Sequence, residues 1–386
     1  MTTSRPHSIL PLLTADEERH SQAVRDFIRE RIVAAGGWIS FADFMESALY
    51  APGLGYYSAG AVKLGASGDF VTAPEISDLF SRCVARQCAD VLAATGGEIL
   101  ELGAGTGRMA VTILESLAEI GVLPERYAIL EVSADLAERQ RARVAQLPKE
   151  LRDRVVWLEQ FPRKLLRGVI LANEVLDALP VQRFVVRSGR LVELGVGLED
   201  GGFMWREGDE LAGGGLPAAS DLPEGYTSEV CARVDPWIAG VGQCLAQGAL
   251  LLFDYGLPRS HYYHPQRVDG TLRCYFKQRA HDDPFINVGV QDITAWVDFT
   301  RVADAALAAG LETSGFVTQA AFLLGTGIEA MTMEVDDVAT RARLAGEARR
   351  LLMPGEMGES FKVMALCRDL DVPLRGFAYQ DLRGSL

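Results

Sequence analysis

A chain of 386 residues with 38 Lys and Arg against 52 Asp and Glu carries a net charge of -14, which argues against nucleic acid or an anionic membrane surface as a partner and favours a basic one. No apolar run approaches the roughly 20 residues that span a bilayer, and the amino terminus lacks the pattern of a signal peptide. Cys83, Cys88, Cys231, Cys244, Cys274 and Cys367 stand without a CxxC pair, so a cytoplasmic protein with reduced thiols, no disulfide framework and no metal site is expected.

In chain order, residues 1–60 read as a helical amino-terminal segment, with "DEERHSQAVRDFIRERIVAA" and "ISFADFMESALY" separated by "GGW" and Ser40 as a cap. A Gly/Tyr-rich stretch too irregular for either period follows. Residues 61–180 then alternate helix and strand: "DLFSRCVARQCADVLAA", "EILELG", "RMAVTILESLAEIG", "RYAILEV", "ADLAERQRARVAQL", "RVVWLE", "GVILAN". That rhythm predicts an α/β fold with a mostly parallel sheet covered on both faces. Residues 181–230 read as a β-hairpin insertion around "RSGR". The alternation resumes over 231–386, with a helix candidate "EVCARVDPWIAGVGQCLAQ", the strand "GALLLFDYG" and a loop insertion at 257–297. A helix at about 298–309, strand-like "TSGFVTQAAFLL", a helix near 336–352 and strand-like "FKVMALCR" close the chain.

The sharpest chemical signal is "EILELGAGTGRMA". Gly103, Gly105 and Gly107 follow a buried strand and precede a helix, where a missing side chain lets the backbone turn tightly and approach a ligand. Glu101 lies two residues ahead of the first glycine. An acid there would repel a pyrophosphate but suits a cofactor with an ammonium and a sulfonium and no phosphate, namely S-adenosyl-L-methionine. Glu131, ending the next strand, is placed to accept from ribose hydroxyls. Glu159, beyond the third strand, is placed to meet an adenine amino group, or is a solvated turn residue.

The segments "GYYSAG", "GDFVTAPEIS", "ELGAGTGRMA", "NEVLDALP", "LLFDYG", "VDF" and "MGESFKV" together resemble the MidA family of class I methyltransferases, in order from about residue 55 to 367. The resemblance implies a Rossmann-like sheet of seven strands binding S-adenosyl-L-methionine, with "GDFVTAPEIS" (Gly68, Asp69, Thr72, Pro74, Glu75, Ser77) folded over it. Thr72 and Ser77 are the expected polar contacts to the methionine end, although "TAPE" also reads as an ordinary helix start. Mitochondrial members of the family methylate an arginine of a respiratory complex I subunit, so the resemblance also implies a protein substrate and arginine as its target. This chain departs from those members in lacking an obvious transit peptide and in carrying "ANE" where some have His before Glu.

In such a fold the tip of the fourth strand faces the transferable methyl, which places Asn173, Glu174 and Asp177 at the acceptor. If a helix follows the strand, Glu174 and Asp177 share a face and can hold a guanidinium through fork-like hydrogen bonds; capping of that helix by Asn173 and Glu174 is the competing reading. His281, Asp282, Asp292 and Asp298 lie in a segment that either closes over substrate or is structural, and His261 with His264 lacks a third ligand for a metal. Methylation of a small molecule or another side chain, and a cofactor-binding assembly chaperone without turnover, stay open as alternatives; a dehydrogenase is disfavoured by Glu101. A homodimer is compatible with the sequence.

Overall fold

A computed structural model describes residues 10–59, 71–164 and 166–386. They form two compact units: Val71–Leu176, Val234–Pro258 and Asp298–Leu386 in the larger, and the described residues of Met1–Phe70 with Asp177–Arg233 and Arg259–Val297 in the smaller.

The larger unit is built on β1 Glu98–Leu102, β2 Tyr127–Leu130, β3 Val155–Leu158, β4 Leu166–Asn173, β5 Leu245–Leu257, β6 Glu312–Thr318 and β7 Phe361–Arg368. These are paired in the order β3-β2-β1-β4-β5-β7-β6, and a two-residue strand, Val297–Asp298, lies off this path. Strands β1 to β5 are parallel, and β7 is antiparallel to both of its neighbours. This is the seven-stranded, mostly parallel sheet expected of a class I methyltransferase fold. The strand order reverses between β1 and β4, which opens a ligand crevice at their carboxyl ends.

Burial explains the strand sequences. Val169, Ile170 and Leu171 in β4 and Ala249, Leu250 and Leu251 in β5 are fully enclosed, so these strands read as continuous apolar runs rather than alternating ones. Each such aliphatic side chain larger than alanine contributes about 1.5–3 kcal/mol on burial. The helices are α1 Asp78–Thr95, α2 Arg108–Ile120, α3 Ala134–Val144, α4 Val234–Cys244 and α5 Phe299–Ala308, followed by Gln319–Gly325, Ile328–Met333 and Val338–Leu352. Helix α1 buries Leu79, Phe80, Cys83, Val84, Cys88, Val91 and Leu92 along one stripe and ends at Gly96, whose φ of 61° suits glycine. Phe80 meets Phe253 of β5 edge-on, and Phe253 meets Phe322 in the same way.

The smaller unit has its own core. The helix Ala15–Ala34 starts in a capping box of Thr14 and Glu17, and Phe41–Tyr50 is capped by Ser40. Five strands pair with Arg190–Glu199 next to Trp38–Ser40, Gln182–Arg187 and Gly202–Glu210, and with Thr227–Val230 beyond Gln182–Arg187. A second sheet joins Arg279–His281, Arg273–Phe276 and Asp292–Thr294. Phe44 packs against Phe203 and Phe285, and Phe41 against Trp205.

Several sequence expectations need correction. The helix expected from residue 229 starts at Val234, because Glu229 is fully buried and belongs to the strand Thr227–Val230. The second half of "TSGFVTQAAFLL" is the helix Gln319–Gly325, capped by Thr318. Within 257–297, strands of three and four residues occur, too short to display a period. The hairpin of Gln182–Arg187 and Arg190–Glu199 gains a third strand, Gly202–Glu210. Among the described residues, no helix is long and apolar enough to cross a membrane, and no cluster of three or more His, Cys, Asp or Glu is arranged to hold a metal ion.

Candidate active site

The turn after β1 has Gly103, Gly105 and Gly107 at φ 66°, 53° and 78°, a left-handed region that L side chains rarely occupy. The Gly103 N–H donates to the Leu130 carbonyl at 3.0 Å, which ties the turn to the end of β2. Glu101 lies beneath, 1% exposed, and accepts from the Tyr127 hydroxyl at 2.7 Å. Burial pushes its carboxyl up to about 7, the tyrosine hydrogen bond opposes that shift, and the Glu131 charge adds to it.

At the end of β2, Glu131 accepts from the Ser133 N–H through Oε1 and from the Gln140 amide through Oε2, each at 2.9 Å. The same amide nitrogen donates to the Gly105 carbonyl at 2.9 Å, and Gln140 Oε1 accepts from the Trp157 indole at 3.0 Å. Gln140 and Trp157 carry no motif and were not found from sequence; a glutamine in the buried stripe of α3 was the available signal. Glu159 lies exposed just past β3.

Residues 71–78 are held against the glycine turn. Glu75 accepts from the Thr106 hydroxyl, while Arg108 donates to the Glu75 carbonyl at 2.8 Å and to Asp78 at 2.9 Å. Thr72 precedes the short helix Ala73–Ile76 without capping it through its side chain. Ser77 is fully buried, accepts from the Leu79 N–H as the cap of α1 and donates to Glu347 at 2.6 Å. Gly68 and Asp69 lie outside the described residues.

The tip of β4 does not run into a helix. Glu174 takes φ 52°, its N–H donates to the Phe253 carbonyl at 2.8 Å, and a turn follows. Asp254 on β5, 1% exposed, accepts the Leu176 N–H at 2.9 Å and the Tyr255 N–H at 2.9 Å and so pins the turn to β5, while the left-handed φ of Glu174 departs from helical backbone. The shared helix face of Glu174 and Asp177 is therefore lost, and so is helix capping by Asn173 and Glu174. Asn173 donates to Glu174 at 3.2 Å and leaves its own Oδ1 buried without a partner. Val175 Cγ2 is 3.4 Å from where a Cβ on Gly103 would stand, so the 173–175 segment borders the glycine turn. Asp177 belongs to the smaller unit, 6% exposed, with its carbonyl taking the Ala295 N–H at 3.0 Å. In that unit Tyr57 also donates to Asp292 at 2.9 Å, and Tyr50 donates to the Ala178 carbonyl at 2.9 Å.

The crevice at the switch point thus gathers Glu75, Glu101, Glu131 and Glu174 around a glycine turn, and the adjoining Arg108 is already engaged by Asp78 and the Glu75 carbonyl. A pyrophosphate would meet like charge there, whereas a ligand carrying an ammonium, a sulfonium and ribose hydroxyls finds acceptors.

Comparison with known proteins agrees with this chemistry. Residues 83–317 match the model of a family of S-adenosyl-L-methionine-dependent methyltransferases. Protein arginine methyltransferase NDUFAF7, mitochondrial, of Danio rerio is 28% identical over 382 residues, covering 90% of this chain and 87% of the relative. Its Homo sapiens counterpart is 27% identical over 377 residues, covering 86% and 81%. A crystal structure from Burkholderia thailandensis bound to S-adenosyl-homocysteine is 40% identical, covers 98% of this chain and 100% of its own, and superposes with a TM-score of 0.94.

Proposed function

This chain belongs to the family of S-adenosyl-L-methionine-dependent methyltransferases, and from that premise we propose that it methylates the guanidinium of an arginine in a protein. The observation that carries the reading is the tip of β4, where the buried, unpaired Asn173 Oδ1 and the adjacent Glu174 carboxylate immediately precede Val175, whose side chain borders Gly103. Support for arginine comes from the names of the relatives in Danio rerio and Homo sapiens.

Bound S-adenosyl-L-methionine supplies an electrophilic methyl group on a sulfonium and leaves as a neutral thioether. Glu101 and the 103–107 turn would hold its amino-acid end, with Thr72 nearby in sequence to the stapled 73–78 segment, and Glu131 its ribose; Glu159 is the candidate for the adenine edge. A guanidinium presents up to five N–H donors and no acceptor. Asn173 Oδ1 and Glu174 are acceptors, so they can orient it and concentrate electron density on the attacking nitrogen. As the N–C bond forms and the C–S bond breaks, that nitrogen must lose a proton, and Glu174 is the nearby base able to take it. The net charge of -14 favours a basic acceptor protein. A respiratory-complex subunit is the acceptor we propose on the family resemblance.

Purified protein incubated with methyl-labelled S-adenosyl-L-methionine and lysate from a strain lacking the gene should label a protein band, with the methyl mapped to arginine by mass spectrometry. Glu174→Gln is expected to keep S-adenosyl-homocysteine affinity within about threefold and to lower turnover by about 100-fold or more. Label confined to small molecules, or loss of cofactor affinity in Glu174→Gln, would remove the acceptor assignment.

A further inference from the structure

Gln140 joins three parts of the cofactor crevice. It is fully buried in α3, and its one amide reaches the glycine turn at Gly105, the acid after β2 at Glu131 and the β3 indole of Trp157. Chemistry fixes its orientation. An indole N–H only donates, while a carbonyl and an ionised carboxylate only accept, so Oε1 faces Trp157 and Nε2 faces the other two. The contact with the turn is tight as well: a Cβ on Gly107 would fall 3.2 Å from Gln140 Cα and Cγ. The Arg141 guanidinium lies 5.0 Å over the Trp157 ring.

We propose that Gln140 is a positioning residue for the cofactor, holding the Glu131 carboxylate in the orientation that receives the ribose hydroxyls and keeping it in register with the glycine turn. The inference rests on the reading of Glu131 as the ribose ligand. Glu131 is only half-buried and follows the end of a strand, a place where a carboxylate samples several rotamers unless it is tethered. Its two oxygens accept from the Ser133 N–H and the Gln140 amide, and a carboxylate offers about four lone-pair sites in all. Fixing the acceptor before binding reduces the ordering cost that binding would otherwise carry.

The test is a cycle between protein and ligand, using calorimetric affinities of wild type, Gln140→Leu and Gln140→Glu for S-adenosyl-homocysteine and for its 2′-deoxy analogue. Wild type is expected to bind the deoxy analogue about tenfold more weakly. Gln140→Leu is expected to bind S-adenosyl-homocysteine about tenfold more weakly, yet to lose less than about threefold more with the deoxy analogue, because the hydroxyl's partner is no longer held. Gln140→Glu keeps the size and the acceptor for Trp157 but turns a carboxylate on Glu131. Its affinity relative to wild type at the same pH should be lowest near about pH 8 and recover near about pH 5.5, where a protonated carboxyl again donates. Thermal melts establish that each variant is folded, and if Gln140→Leu is not, the Gln140→Glu series decides alone. Wild-type affinity in both variants, or hydroxyl and side-chain penalties that multiply in full, would overturn the proposal. A wild type that binds S-adenosyl-homocysteine but is indifferent to the 2′-hydroxyl would instead remove the Glu131 reading, and the inference with it.

Discussion

At the scale of single residues, Glu101 couples the cofactor crevice to pH. Without ligand its carboxyl is raised from 4.5 to about 7, chiefly by burial. Between those values the folded protein holds a proton that the unfolded chain has released, so this group's contribution makes stability fall as pH rises through the window and level off above about 7. The shift corresponds to roughly 3 kcal/mol. Urea midpoints of ligand-free protein across this range should show the decline, and Glu101→Gln should flatten it relative to wild type. Binding an ammonium requires the charged carboxylate, so S-adenosyl-homocysteine affinity should climb as pH approaches 7, with proton release visible by calorimetry in two buffers of different ionisation enthalpy. No proton release would mean that Glu101 does not meet the cofactor's amino group. Ser77 makes the opposite case, a hydroxyl committed to the fold through the Leu79 N–H and Glu347. Ser77→Ala should cost about 1 kcal/mol as a lost cap while leaving S-adenosyl-homocysteine affinity within about threefold. A loss of more than about tenfold would return Ser77 to the cofactor.

At the scale of elements, the central strands meet where side chains have no room. Gly248 of β5 pairs with Gly168 of β4, which pairs with Glu98 of β1. A Cβ on Gly168 would lie 2.1 Å from the Glu98 carbonyl oxygen, and one on Gly248 would lie 1.9 Å from that of Gly168. With φ at 126° and 134°, Gly168→Ala or Gly248→Ala should destabilise the protein by roughly 3 kcal/mol, read as a shifted urea midpoint. Substitution at no measurable cost would mean that the strands can part there. These glycines begin runs whose strand character was legible in the sequence, because β4 and β5 are buried on both faces and their apolar runs are bounded by turn signals. The placement of the glycine turn, Glu101 and Glu131 at strand ends was legible for a related reason: each is set by one strand and the turn beside it. What followed β4 was not. The turn after Glu174 is held to β5 by Asp254, dozens of residues away, whose carboxylate takes the Leu176 N–H, and no local pattern around Glu174 carries that information. Gln140 was missed on the same grounds, since a buried glutamine gains its meaning only from Gly105, Glu131 and Trp157 brought around it.

At the scale of the whole molecule, the amino-terminal helices, the 181–230 segment and the 257–297 segment read as separate attachments in the sequence, but the helices, the second segment and Arg259–Val297 of the third fall in one unit. Hydrophobic periodicity shows that each segment has a face to bury, without showing that the faces bury one another. Phe44, Phe203 and Phe285 come from all three and meet in one cluster. The larger unit has a separate core around Phe80, Phe253 and Phe322. Two cores predict two unfolding transitions, because cooperativity follows the contacts that each core shares. Tryptophan reports on both: Trp38, Trp205 and Trp296 lie in the smaller unit, Trp157 and Trp237 in the larger. Every proposed cofactor ligand lies in the larger unit, so S-adenosyl-homocysteine at about 100 times its dissociation constant should stabilise that unit by about 2.7 kcal/mol. In a denaturant titration it should move the transition seen when Trp38, Trp205 and Trp296 are replaced by Phe, which leaves Trp157 in place, and leave unmoved the additional transition seen in the intact protein. If ligand shifts both transitions equally, or if only one transition exists, the two cores unfold as a single cooperative block, and binding at the glycine turn is then linked energetically to the fold of the smaller unit.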